Sequence, residues 1–149
     1  MTYTEKNTLV SMLTGMLVFG IYSSKMYQLY QEGRFAAADA GVLMGKSVLY
    51  MIAASIIIAI ITSIIFSIVH ALATGEKKPN FVVDERDKLI ELKAMQFSFI
   101  VFSFGFVGSA IALVFETTPL MVIFATITSM FVASIAGDIF KLVCYRRGY

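Results

Sequence analysis

Four stretches of the chain are almost continuously apolar, and short polar segments separate them. The first, about 8–27, carries no charge from Leu9 to Tyr22. That suits a membrane helix, which needs about 20 mostly apolar residues. The second is a helix over about 42–72 with its span at 44–70. It is longer than a perpendicular crossing requires, so it is expected to tilt or to extend past the bilayer. The third and fourth spans fall at about 94–115 and 120–143. Glu116-Thr117-Thr118-Pro119 is all that joins them, so they must form an antiparallel helical hairpin. The fold class read from this pattern is all-α: an integral membrane four-helix bundle made of two antiparallel hairpins, in one domain over 1–149.

The segment between the two halves is the most charge-dense in the chain. Val83-Asp84-Glu85-Arg86-Asp87-Lys88-Leu89-Ile90-Glu91-Leu92-Lys93-Ala94 runs directly into the third span. Gly75 and Pro79 are suited to ending the second helix, and Asp84 to capping the third. Lys88 has Asp84, Glu85 and Glu91 three or four positions away, so the segment reads as a solvated helical lead-in held partly by its own charge pairs. Lys93 has no carboxylate at that spacing and is expected to face headgroups or another helix. Loop 1, at 31–41, contains Phe35 and a run of alanines that suit a short interfacial helix.

Lysine and arginine placement sets the expected orientation. Lys6, Lys77, Lys78, Arg86, Lys88, Lys93, Lys141, Arg146 and Arg147 lie on one side, and Lys25, Arg34 and Lys46 on the other. Nine against three puts both termini and the 73–93 loop in the cytoplasm, with the chain expected in the cell inner (cytoplasmic) membrane. The start of the chain is short and weakly charged, with no small-x-small cleavage pattern after the first apolar run. It is therefore read as a retained span rather than a signal peptide.

Composition narrows the function classes. Hydrophobic residues are 58% and charged residues 15%, more apolar than a soluble domain of this size, so lipid is an expected partner. A net charge of +2 without a large basic patch argues against nucleic acid. One cysteine, Cys144, and one histidine, His70, leave no internal disulfide and no Cys- or His-rich metal site. Neither a serine-hydrolase elbow, a zinc-protease helix nor a phosphate loop is present, so no catalytic residue, cofactor or metal is assigned and the chain is not read as an enzyme.

Small residues recur every fourth position on helix 2 (Ser55, Ala59, Ser63, Ser67) and on helix 4 (Ala125, Ser129, Ala133, Gly137). Ser11 with Gly15, Gly105 with Ser109, and Gly108 with Ala112 are shorter versions. That spacing puts each row on one helix face, where backbones can approach closely. Any single row is more readily explained by packing within the bundle, but several together suit oligomerisation. Asp138, at the charged end of helix 4, reads first as a helix-end ion pair with Lys141, three residues on. The sharper reading is an ion or proton site shared with His70. Arg86, one or two turns before the membrane, could hold Asp138 or a lipid phosphate. No ionisable residue falls at a membrane midplane, which argues against proton- or ion-coupled transport. A pore lined by Ser63, Ser67, Thr126, Thr128 and Ser129 stays open as an alternative. The phenylalanines of helix 3 read as packing and lipid-facing bulk, and Cys144 as inert in preference to acylated.

Asp84-Glu85-Arg86, then Ile90 and Lys93-Ala94 at the opening of a membrane helix, resembles a motif of an uncharacterised family of small prokaryotic integral membrane proteins. Four spans in two hairpins also fit that family. The resemblance implies a class and no mechanism, and it singles out Asp84, Glu85, Arg86 and Lys93 as interaction residues, with Asp138 as their possible membrane-side partner. The function expected is association, as a homo-oligomer or as an accessory or regulatory subunit of another protein. The alternative is a small oligomeric channel or facilitator.

Overall fold

The computed structural model describes residues 3–74 and 85–147. It holds four long helices: α1 (Tyr3–Gln31), α2 (Ala40–Thr74), α3 (Glu85–Val114) and α4 (Pro119–Arg147). All four are long and apolar enough to cross a membrane. Each extends past its apolar span, because flanking polar residues continue the helix into the interface. The lead-in is already helical at Glu85, as its charge pattern required, while the Asp84 cap lies outside the described residues. Within loop 1 a short 3₁₀ helix forms at Arg34–Ala36, entered through Gly33 at φ 69° and braced by an exposed Arg34–Asp39 pair at 3.4 Å.

The α3–α4 connection is as tight as its sequence demands. Glu116 takes a left-handed φ of 57°, and its N–H donates to the Leu113 carbonyl at 3.2 Å. Pro119 opens α4, where its missing N–H removes nothing that the helix would use.

The helices pack in the order α3, α4, α1, α2, so the two hairpins meet through α1 and α4. α3 and α4 adjoin along their length. Near the loop ends, Tyr22 and Met26 of α1 and Met44 of α2 form the buried cluster, and Phe124 and Ile127 of α4 pack against it. Phe19 stacks on Phe131 at 4.5 Å between ring centres and Tyr22 on Phe124 at 6.2 Å, so α1 runs antiparallel to α4. Both described chain ends and the start of α3 therefore share one side of the bundle, called here the termini side.

α2 is the exception to close packing. At 35 residues it is about 52 Å long at 1.5 Å per residue, against a hydrocarbon core of roughly 30 Å. Its buried residues, Ala40 and Met44, lie in its first two turns, and nothing from Gly45 to Ala73 is buried. Water would not tolerate such a surface; lipid does.

Candidate functional site

The structure separates the two rows of small residues. The helix 4 row is the seam of the α3–α4 hairpin. A Cβ placed at Gly105 would overlap the Cβ of Ser129. One placed at Gly137 would overlap the Ser98 hydroxyl and come within 3.3 Å of the Ala94 carbonyl oxygen. Ala133 is buried in the same seam, and Ala125 lines it with Gly108, Ser109 and Ala112. Packing within the bundle accounts for this row. Ser55, Ala59 and Ser63 of the helix 2 row lie on the length of α2 where nothing is buried. The Ser55 and Ser67 hydroxyls donate to the Ile52 and Ser63 carbonyls at 2.8 and 2.9 Å, back onto their own helix.

The hydroxyls nominated for a pore on α4 behave in the same way. Thr126, Thr128 and Ser129 donate to the carbonyls of Val122, Phe124 and Thr126 at 2.8–2.9 Å. These bonds satisfy the hydroxyl donors inside one helix.

The polar chemistry collects on the termini side of the α3–α4 seam. The hairpin register sets Asp87 beside Tyr145 and Glu91 beside Lys141. Lys141 reaches across to Glu91 at 3.7 Å, and this pair replaces the expected Asp138–Lys141 one. Asp138 still feels the Lys141 charge but forms no ion pair within 4 Å among the described residues. The Arg86–Asp138 contact does not form. Arg86 lies near Tyr145, about two turns closer to the helix end than Asp138. His70 stacks on Phe66 of its own helix at 6.2 Å and takes no part in the Asp138 environment. Glu85, Arg86 and Lys93 are exposed on the first turns of α3. Cys144 is buried, which withholds its thiol from acylation in this packing.

Motif and spacing along one helix do not single out Tyr145, and they do not pair Glu91 with Lys141. The signal that could have found them is the length of loop 3. A hairpin closed by so few residues pairs positions equally far from the turn, and that count sets Glu91 against Lys141 and Asp87 against Tyr145.

Tyr145 lies beyond the apolar stretch of α4. Its hydroxyl is buried beside the Asp87 carboxylate without a well-formed hydrogen bond. Burial first, then the charges of Asp87 and Glu91, push it up to about 12. The folded-state value is raised above the unfolded one, near 10. Its contribution to stability is therefore complete below about pH 10 and lost as pH rises towards 12. Melting curves of wild type and Tyr145→Phe in detergent are expected to diverge from pH 9 to 12, with the phenylalanine variant losing less. Parallel curves would show that Tyr145 does not sense this environment.

Between α3 and α4 on this side runs a groove of about 510 Å³ with Asp138, Lys141 and Glu91 at one end. Ser98 and Ser134 follow, then Phe99, Phe102 and Met130. No protein-family model, curated protein or solved structure matches the chain.

Proposed function

We propose that the protein acts by association in the membrane, as a homo-oligomer or as an accessory subunit of another membrane protein. The observation that carries this reading is α2. It packs on the bundle through its first turns, as far as Met51, and carries beyond them a length with no buried residue, including the exposed Ala59 and Ser63. Lipid solvates such a helix, but small residues at spacing four on an uncovered face suit close approach of another helix. The seam row, already used inside the bundle, does not offer the same opportunity.

The second element is the charged start of α3. Glu85, Arg86 and Lys93 are exposed at the start of α3, on the side where Arg146 and Arg147 end α4. The excess of lysine and arginine on this side supports a cytoplasmic location for it. The resemblance of the Asp84-Glu85-Arg86 lead-in to small prokaryotic membrane proteins supports the cytoplasmic membrane of a prokaryote as the setting. There the lead-in is positioned to meet a partner's cytoplasmic surface while α2 meets its helices.

Affinity capture of the tagged chain from its native membranes in mild detergent tests the accessory form. A stoichiometric second protein is expected to co-elute, and Arg86→Ala to reduce it at least about tenfold, as loss of a charged interface contact of 1.4 kcal/mol or more would do. The chain eluting only with itself would exclude the accessory form and leave the homo-oligomer. Solute flux through liposomes holding the chain alone would favour the channel reading instead.

A further inference from the structure

The α3–α4 groove is amphiphilic along its length. Its termini-side end carries both charge signs, with the carboxylates of Asp138 and Glu91 around the Lys141 ammonium. Its far end is walled by Phe99, Phe102 and Met130. Lys141 to Met130 is 11 residues, or about 16 Å of helix at 1.5 Å per residue. Gly137 and Ala133 form the floor where the two backbones come close, so the groove runs along the seam and opens to the lipid.

We propose that this groove holds one zwitterionic aminophospholipid, its ammonium on Asp138, its phosphate on Lys141 and an acyl chain along Phe99, Phe102 and Met130. The charge pattern selects this occupant. Asp138 is half-buried, and its nearest cation is engaged by Glu91, so a further cation at Asp138 is favourable. Lys141 has three N–H donors, and one contact to Glu91 leaves others for a phosphate. A primary ammonium can donate hydrogen bonds to the Asp138 carboxylate, whereas a quaternary one cannot. A lipid that carries a phosphate and no cation would set its charge beside two carboxylates without compensation. The expected order is therefore phosphatidylethanolamine above phosphatidylcholine and phosphatidylglycerol. The site lies on α3 and α4 and is independent of α2 and of the association assigned to it.

Native mass spectrometry of the delipidated full chain in detergent, titrated with these three lipids carrying identical acyl chains, tests the assignment. One phosphatidylethanolamine per chain is expected, bound at least about tenfold more tightly than the other two, a gap that one charge-assisted hydrogen bond can supply. Asp138→Asn, close in shape to the native residue, is expected to erase the preference. Ser134→Phe, which fills the groove from its exposed rim, should abolish retention while circular dichroism stays that of the wild type. Equal uptake of the three lipids by the wild type would overturn the proposal, with no variant needed. So would a preference that survives Asp138→Asn. A lipid-independent dimer that Ser134→Phe dissolves would overturn it too, since the groove would then hold a second copy.

Discussion

Gly105→Ala is expected to loosen the α3–α4 hairpin, at a cost of about 1–3 kcal/mol, the usual range for overpacking a well-packed contact. The added methyl group would fall on the Cβ of Ser129, which is fixed to its backbone and has no rotamer by which to move aside. The two helices must separate or slide. Gly137→Ala meets a softer obstacle, because the overlapping atom is the Ser98 hydroxyl, which can rotate. It should cost less than Gly105→Ala, whereas Gly137→Val, with more bulk facing the Ala94 carbonyl, should cost as much or more. Gly108 is one turn from Gly105 and has open space at its Cβ position, so Gly108→Ala should be neutral or slightly stabilising. Pairing Gly105→Ala with Ser129→Gly removes the overlapping atom and should restore most of the loss. Reversible unfolding in mixed micelles reads all of these variants. A Gly105→Ala protein as stable as Gly108→Ala would refute the seam.

On α2 the expected effect is large in assembly and small in stability. Ala59→Leu combined with Ser63→Leu widens the face where small residues recur. Nothing on that length of α2 is buried within the chain, so the melting midpoint should shift by no more than a substitution at an exposed site does, within about 0.5 kcal/mol. Association through close helix approach should fall at least about tenfold, because added side chains push the helices beyond the distance at which their contacts form. Ile61→Leu, on the opposite face, is the matched control and should leave assembly unchanged. The same fall with Ile61→Leu would show that the small-residue face is not the contact. A collapse in stability with the double variant would show that α2 is held within the fold.

The spans and the hairpins are legible in the sequence because each depends on a local property. Apolar runs of membrane length imply helices, and the Glu116-Thr117-Thr118-Pro119 connection forces α3 and α4 side by side. That α2 has no buried residue after its first turns is not legible, and the reason is the solvent. In water a helix shows its buried face by contrast with a polar one, whereas in lipid the packed and exposed faces are both apolar. Ile56, Ile60 and Ile64 would look the same in a closed bundle as they do facing acyl chains. The two rows of small residues illustrate the limit. Ala125, Ser129, Ala133 and Gly137 share their pattern with Ser55, Ala59, Ser63 and Ser67, but the first row lies in the α3–α4 seam and, among the described residues, no member of the second is buried. For Asp138, spacing favoured Lys141 three residues along, and the partner helix intervened: Glu91 of α3 takes the lysine. Short-range helix geometry cannot show that competition, although the hairpin register can. Asp84 lies outside the described residues, so the first residue of the Asp-Glu-Arg lead-in is known only from sequence, while Glu85 and Arg86 stand exposed on the first turn of α3.

Native mass determination of the wild-type chain, extracted from its own membrane into the mildest detergent that solubilises it, tests the central claim most directly. The account predicts a mass of two or more copies, or of the chain with a stoichiometric partner, that shifts to the single chain in the Ala59→Leu, Ser63→Leu variant. A single wild-type chain at every detergent and protein concentration would contradict it.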